Sequence, residues 1–120
     1  MEGGYKVEFT SEEKTLFIKS FTNLLKDANG RGPRNIYIKY FTNEIHIVMQ
    51  GVVSDFEKYL IRNFGQEAID TLTLYYERDS YNAEKIFLSS LDNKYNLKFY
   101  ELDSDFKNDL FVYKMRIESE

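Results

Sequence analysis

Arg31, Arg34 and Lys39 follow one another through Asn29-Gly30-Arg31-Gly32-Pro33-Arg34 and the strand-like stretch after it. Two glycines loosen the backbone amides, a proline stiffens the turn and two guanidiniums stand close together, which is small-anion chemistry. The loop's place in the chain favours a plainer use. It follows a helical pattern and precedes a strand pattern, the reverse of a phosphate-binding loop, so no helix N-terminus points into it. Gly30 suits the position after a helix, where positive φ is wanted, and Pro33 suits a strand start. That account leaves only the basic side chains over. A small-anion sensor using Arg31, Arg34 and Lys39 stands as the alternative function.

Other chemistry is sparse. His46 is the sole histidine, on a strand face with Glu44 and Gln50. With no second base or nucleophile nearby in sequence, a surface or interface role fits it better than catalysis. Asp103, Asp105 and Asp109 begin like a calcium loop, but the glycine and the closing bidentate Glu are missing. A solvated hairpin turn explains them. Glu12-Glu13 and Glu118/Glu120 sit at helix and chain ends, where dipoles and water account for carboxylates. The chain has no cysteine, which removes disulfides, thiolate metal sites and a Cys nucleophile. The expectation is a non-enzyme with no metal and no cofactor.

The elements that must carry these residues are readable from apolar spacing. A helix is predicted from about Glu12 to Ala28, capped by Thr10 with Glu13, its stripe being Phe17, Phe21, Leu24, Leu25 and Ala28. Strands follow at Ile36–Phe41 and Glu44–Gln50, joined by a Thr42-Asn43 turn. Gly51 breaks the second strand. Ser54 with Glu57 repeats the capping box and opens a short helix that Gly65 ends or bends. From Gln66 a stripe through Leu72, Tyr76, Ala83 and Phe87 to Leu91 predicts one long helix, with a break near Ser80 as the alternative. Leu97–Asp103 and Leu110–Glu118 form a last hairpin.

The order αββ-α-αββ predicts an α+β fold of two layers, with a four-stranded, mainly antiparallel sheet and helices packed on one face. At 120 residues this is a single domain, 1–120, with no linker. No signal peptide or spanning segment is visible, so a soluble, cytoplasmic chain without direct membrane insertion is expected. A net charge of −4 argues against nucleic acid as partner. Ten Phe and ten Tyr give an unusual aromatic content of 17 %. The plainer reading is that they fill the sheet's core; the alternative is a self-association surface of wet-edged tyrosines, and a homodimer through a sheet edge or the long helix is expected.

At Gly30-Arg31-Gly32-Pro33, then the hairpin, then Gly51-Val-Val-Ser-Asp-Phe-Glu-Lys-Tyr-Leu60, the chain resembles the MpsC-like family. These are small bacterial proteins named for a component of a sodium-translocating, membrane-potential-generating system. Val53-Ser54-Asp55-Phe56-Glu57 stands where the family has a Leu-Thr-x-x-Glu helix start, and Asp103-Ser104-Asp105 resembles its closing hairpin. The resemblance runs from about Glu12 to Met115. It implies signature positions at Gly30, Gly32, Pro33, Gly51 and Glu57. It also implies a role beside a membrane ion or inorganic-carbon transport protein, peripheral to the membrane through that partner, and it transfers no catalytic residue.

Overall fold

A computed structural model describes residues 9–29, 32–90 and 97–117. Seven elements run in the predicted order: α1 (Ser11–Asn29), β1 (Asn35–Phe41), β2 (Glu44–Gln50), α2 (Asp55–Phe64), α3 (Gln66–Ser90), β3 (Leu97–Asp105) and β4 (Leu110–Ile117). The fold is α+β with a four-stranded open sheet, β1-β2-β4-β3, antiparallel throughout. Each hairpin is thus joined to the other at the sheet's centre, through β2 and β4.

Local chemistry sets the boundaries. Thr10 N–H donates to Glu13 Oε1 at 2.9 Å while Glu13 N–H donates to Thr10 Oγ1 at 3.1 Å, closing the box that starts α1. Ser54 and Glu57 make the same reciprocal pair at 2.8 and 3.1 Å. Asn43 takes φ 66° in the β1–β2 turn, a left-handed conformation that Asn accepts more easily than most residues. Gly65 takes φ 62° between α2 and α3. The third helix is continuous through Ser80, so the one-helix reading holds. Gly30 and Arg31 lie outside the described residues, as do the N-terminal eight residues, Leu91, Glu118 and Glu120; so do the side chains of Leu24, Ala28, Ala83 and Phe87.

One sheet face meets the helices. Ile45, Ile47 and Met49 of β2 pair with Met115, Tyr113 and Phe111 of β4, and all six are buried. Phe17 and Phe21 of α1 close over them, with the Phe21 ring 4.8 Å from Tyr113, which stacks on Phe99 at 4.5 Å. Tyr76 brings α3 in at 4.8 Å from Phe111. The aromatics divide between the core and the surface. Phe17, Phe21, Phe99, Phe106, Phe111, Tyr76 and Tyr113 are buried, while Tyr37, Phe41, Phe56, Tyr59, Phe64, Tyr75 and Tyr100 remain exposed.

Two details depart from expectation. The register of β3 shifts between Phe99 and Glu101, where Tyr100 is the extra residue of a bulge. Alternation therefore changes phase: Phe99 faces the core with Leu102, while Tyr100 and Glu101 face outward. The acidic connection is also more than a solvated turn. β3 continues to Asp105, Phe106 is buried, and Asp109 turns inward at φ 52° to bond the β2–α2 link.

Candidate functional site

Of the anion residues proposed from sequence, Arg34 and Lys39 do not converge. Arg34 precedes β1 and Lys39 is its fifth residue, so alternation sends them to opposite faces roughly 16 Å apart along the strand. Arg31 lies outside the described residues. The backbone N–H of Arg34 donates to Gln50 O at 2.8 Å, and the Lys39 ammonium sits 5.9 Å from the centre of the Tyr37 ring.

Two of the signature glycines, Gly32 and Gly51, are closely approached by their neighbours. A Cβ on Gly32 would come within 2.8 Å of Thr22 Cγ2 on α1. Gly51 has φ +73°, and a Cβ there would meet the Cβ of Arg34 at 2.4 Å. The cluster of backbone amides that could cradle an anion lies instead at 51–53. It is already filled: Gly51 N–H reaches Asp109 O at 3.3 Å, and the N–H groups of Val52 and Val53 donate to Asp109 Oδ1 at 2.8 and 2.9 Å. The sequence carries no signal for this use of Asp109, because its partners are 56 and 57 residues away.

Glu57 links the capping box to a cleft. Its side chain is 7 % exposed, and the Tyr76 hydroxyl lies 3.0 Å from both of its oxygens. This carboxylate ties the start of α2 to the middle of α3. Beside it opens a cleft of about 560 Å³, a size common among ligand and peptide sites. Phe56, Leu60, Leu72 and Tyr75 form its apolar wall, and Asp79 its other acidic group. Among the described residues, five of the nine exposed large apolar side chains belong to these two helices: Phe56, Tyr59, Phe64, Leu74 and Tyr75. Helical spacing in α2 showed Phe56, Tyr59 and Leu60 but not that they face outward.

Burial holds the Asp79 carboxyl above its ordinary value of 3.8, and Arg78, with Nε 3.9 Å away, only partly offsets this. A raised carboxyl pKa means that the folded state binds the proton more tightly, so stability falls as pH rises from 3.8 through the folded value. Asp79→Asn is expected to raise the melting temperature at pH 7 and to leave it unchanged below pH 3.8, as thermal unfolding between pH 3 and 7 would show.

The other exposed aromatics sit on the sheet's outer face, opposite the helices. His46 Nε2 pairs with Glu44 Oε2 at 2.5 Å, and its ring lies 4.5 Å from Phe41. The bulged Tyr100 lays its ring 4.2 Å from the Arg116 guanidinium and donates its hydroxyl to Glu44 Oε2 at 2.5 Å. That hydroxyl and His46 hold the Glu44 carboxyl below its usual range. Lys114 Nζ meets Glu101 Oε2 at 2.8 Å. His46 therefore already has a partner on an open face, the setting of an interface residue. Among the described residues no three His, Cys, Asp or Glu side chains are grouped to hold a metal ion, and no helix is long and apolar enough to cross a membrane.

A family model described as "Na+-translocating membrane potential-generating system (MpsC)" matches residues 11–78, from the start of α1 to the middle of α3. The closing hairpin, which the resemblance also took in, lies beyond that match. No curated protein and no solved structure matches the chain.

Proposed function

The chain belongs to the MpsC family, and from that premise we propose that it is a non-enzymatic accessory domain of a sodium-translocating membrane system. It works on the cytoplasmic side, through contacts with a membrane partner and with a second copy of itself. The observation that carries this reading is the exposure of Phe56, Tyr59, Phe64, Leu74 and Tyr75 on α2 and α3, two of which, Phe56 and Tyr75, line the cleft between the helices. Large apolar side chains exposed together mark places where another protein excludes water. Glu57 and Tyr76 brace the two helices from beneath, so the cleft is held in shape before a partner arrives.

Affinity purification of the tagged chain from detergent-solubilised native membranes tests it. An ion-translocating membrane protein should be enriched, and a Phe56→Ser/Tyr75→Ser variant should lose at least about tenfold of that enrichment, as expected for truncating aromatic anchors. Recovery of no membrane protein, or equal recovery with the variant, would end the reading.

A further inference from the structure

The strand register lays the outer face out in rows across β1, β2, β4 and β3. One row is Tyr37, Val48, Val112, Asp103; the next is Lys39, His46, Lys114, Glu101; a third is Phe41, Glu44, Arg116, Lys98. The rows are not symmetric in charge. The β1 side is aromatic and basic, whereas Asp103 and Glu101 make the β3 side acidic in the first two rows and Lys98 ends the third. Val48 at the centre is only 4 % exposed, walled in by its neighbours.

We propose that this face is a self-association surface, on which a second copy of the chain stacks sheet to sheet about a two-fold axis parallel to the strands. The assignment deepens the self-association part of the proposed function and rests on it. An axis running between β2 and β4 reverses each row but keeps the rows in order. Val48 then lies over Val112 of the second copy, Lys39 over Glu101, the Tyr37 hydroxyl at Asp103, Glu44 at Arg116, and the Phe41 ring over the Lys98 ammonium. His46 comes over Lys114, whose charge Glu101 already holds. Complementarity that appears when a face is exchanged with itself is complementarity towards the same chain, the isologous arrangement of two-fold dimers. Aligned sheets pack face to face in this way about 10 Å apart.

Size sets the strength. Four strands of seven to nine residues cover about 20 by 25 Å, or roughly 500 Å² before side-chain relief. A standard stable interface buries about 800 Å² per partner. The dimer is therefore a dissociable one, formed at micromolar concentration.

Two exposed charge reversals test the axis. In Lys39→Glu, like charges meet at both symmetry-related contacts, and in Glu101→Lys they meet again with opposite sign. Each variant alone should dimerise roughly tenfold more weakly than the parent. Mixed together, the two should recover the parent's affinity as a heterodimer, since each contact then pairs opposite charges. Sedimentation equilibrium reads this as mass moving between 14.3 kDa and twice that value. Circular dichroism and melting confirm the fold of each variant. Should Glu101→Lys melt early through loss of its Lys114 pair, Glu101→Lys/Lys114→Glu, which keeps that pair in reversed order and still sets a lysine over Lys39, takes its place. A parent that stays monomeric at high micromolar concentration overturns the self-association reading and the face together. A parent dimer that neither variant weakens, or variants that mixing fails to rescue, overturns the face and leaves self-association through another surface.

Discussion

Gly51→Ala is expected to destabilise the domain by about 3 kcal/mol, from a left-handed backbone that disfavours any Cβ and from overlap with packed atoms. Gly51 combines φ +73° with an added Cβ only 2.4 Å from the Cβ of Arg34, whose backbone N and Cα stand at 3.2 and 3.4 Å. Neither difficulty can be relaxed by moving the tip of a flexible side chain, because the opposing atoms are backbone and Cβ. Denaturant unfolding of Gly51→Ala and of the double variant Gly51→Ala/Arg34→Gly separates the two costs. The double variant removes the nearest atom but keeps the positive φ, so about half of the loss should return. An alanine variant within about 0.5 kcal/mol of the parent, the range of ordinary surface changes, would show that neither constraint operates.

Asp109→Ala should cost a similar amount, about 3 kcal/mol, because it leaves two buried backbone donors without an acceptor. Val52 and Val53 are 2 % and 0 % exposed, and both N–H groups aim at Asp109 Oδ1. Water cannot replace the carboxylate cheaply at such a place. Asp109→Asn keeps an oxygen at that position and a residue that tolerates φ 52°, so it should lose clearly less than the alanine variant. Equal losses in the two would mean that charge, not acceptor geometry, is what the link requires. Hydrogen exchange of the Val52 and Val53 amides gives a direct local readout, with protection lost in alanine and largely kept in asparagine.

What could be read from the sequence was what is encoded within a few residues. Both capping boxes span three residues, and both formed as expected. The period-two runs in β1, β2 and β4 named the buried faces, and Asn43 and Gly65 took the positive φ their residue types permit. What escaped depends on partners far along the chain. Asp109 looks like any turn aspartate until the β2–α2 link lies against it. Tyr100 sits inside an apparently regular strand, and only the pairing with β4 shows the bulge that turns it toward Glu44. Proximity in sequence misled for Arg34 and Lys39, since strand alternation parts residues that a loop would have gathered. Glu57 was half legible: its cap is local, whereas its bond to Tyr76 spans 19 residues and creates one wall of the cleft.

The sheet order β1-β2-β4-β3 also has a consequence in time. Ile45, Ile47 and Met49 find their strand partners on β4, and 70 residues separate Ile45 from Met115. At a synthesis rate of about 5–20 residues per second, the first hairpin waits roughly 4 to 14 s on the ribosome before its partner strand emerges. Through that interval its apolar stripe can be shielded only by the helices made before and after it. The early helices are therefore nursemaids to the nascent hairpin as well as one layer of the finished fold.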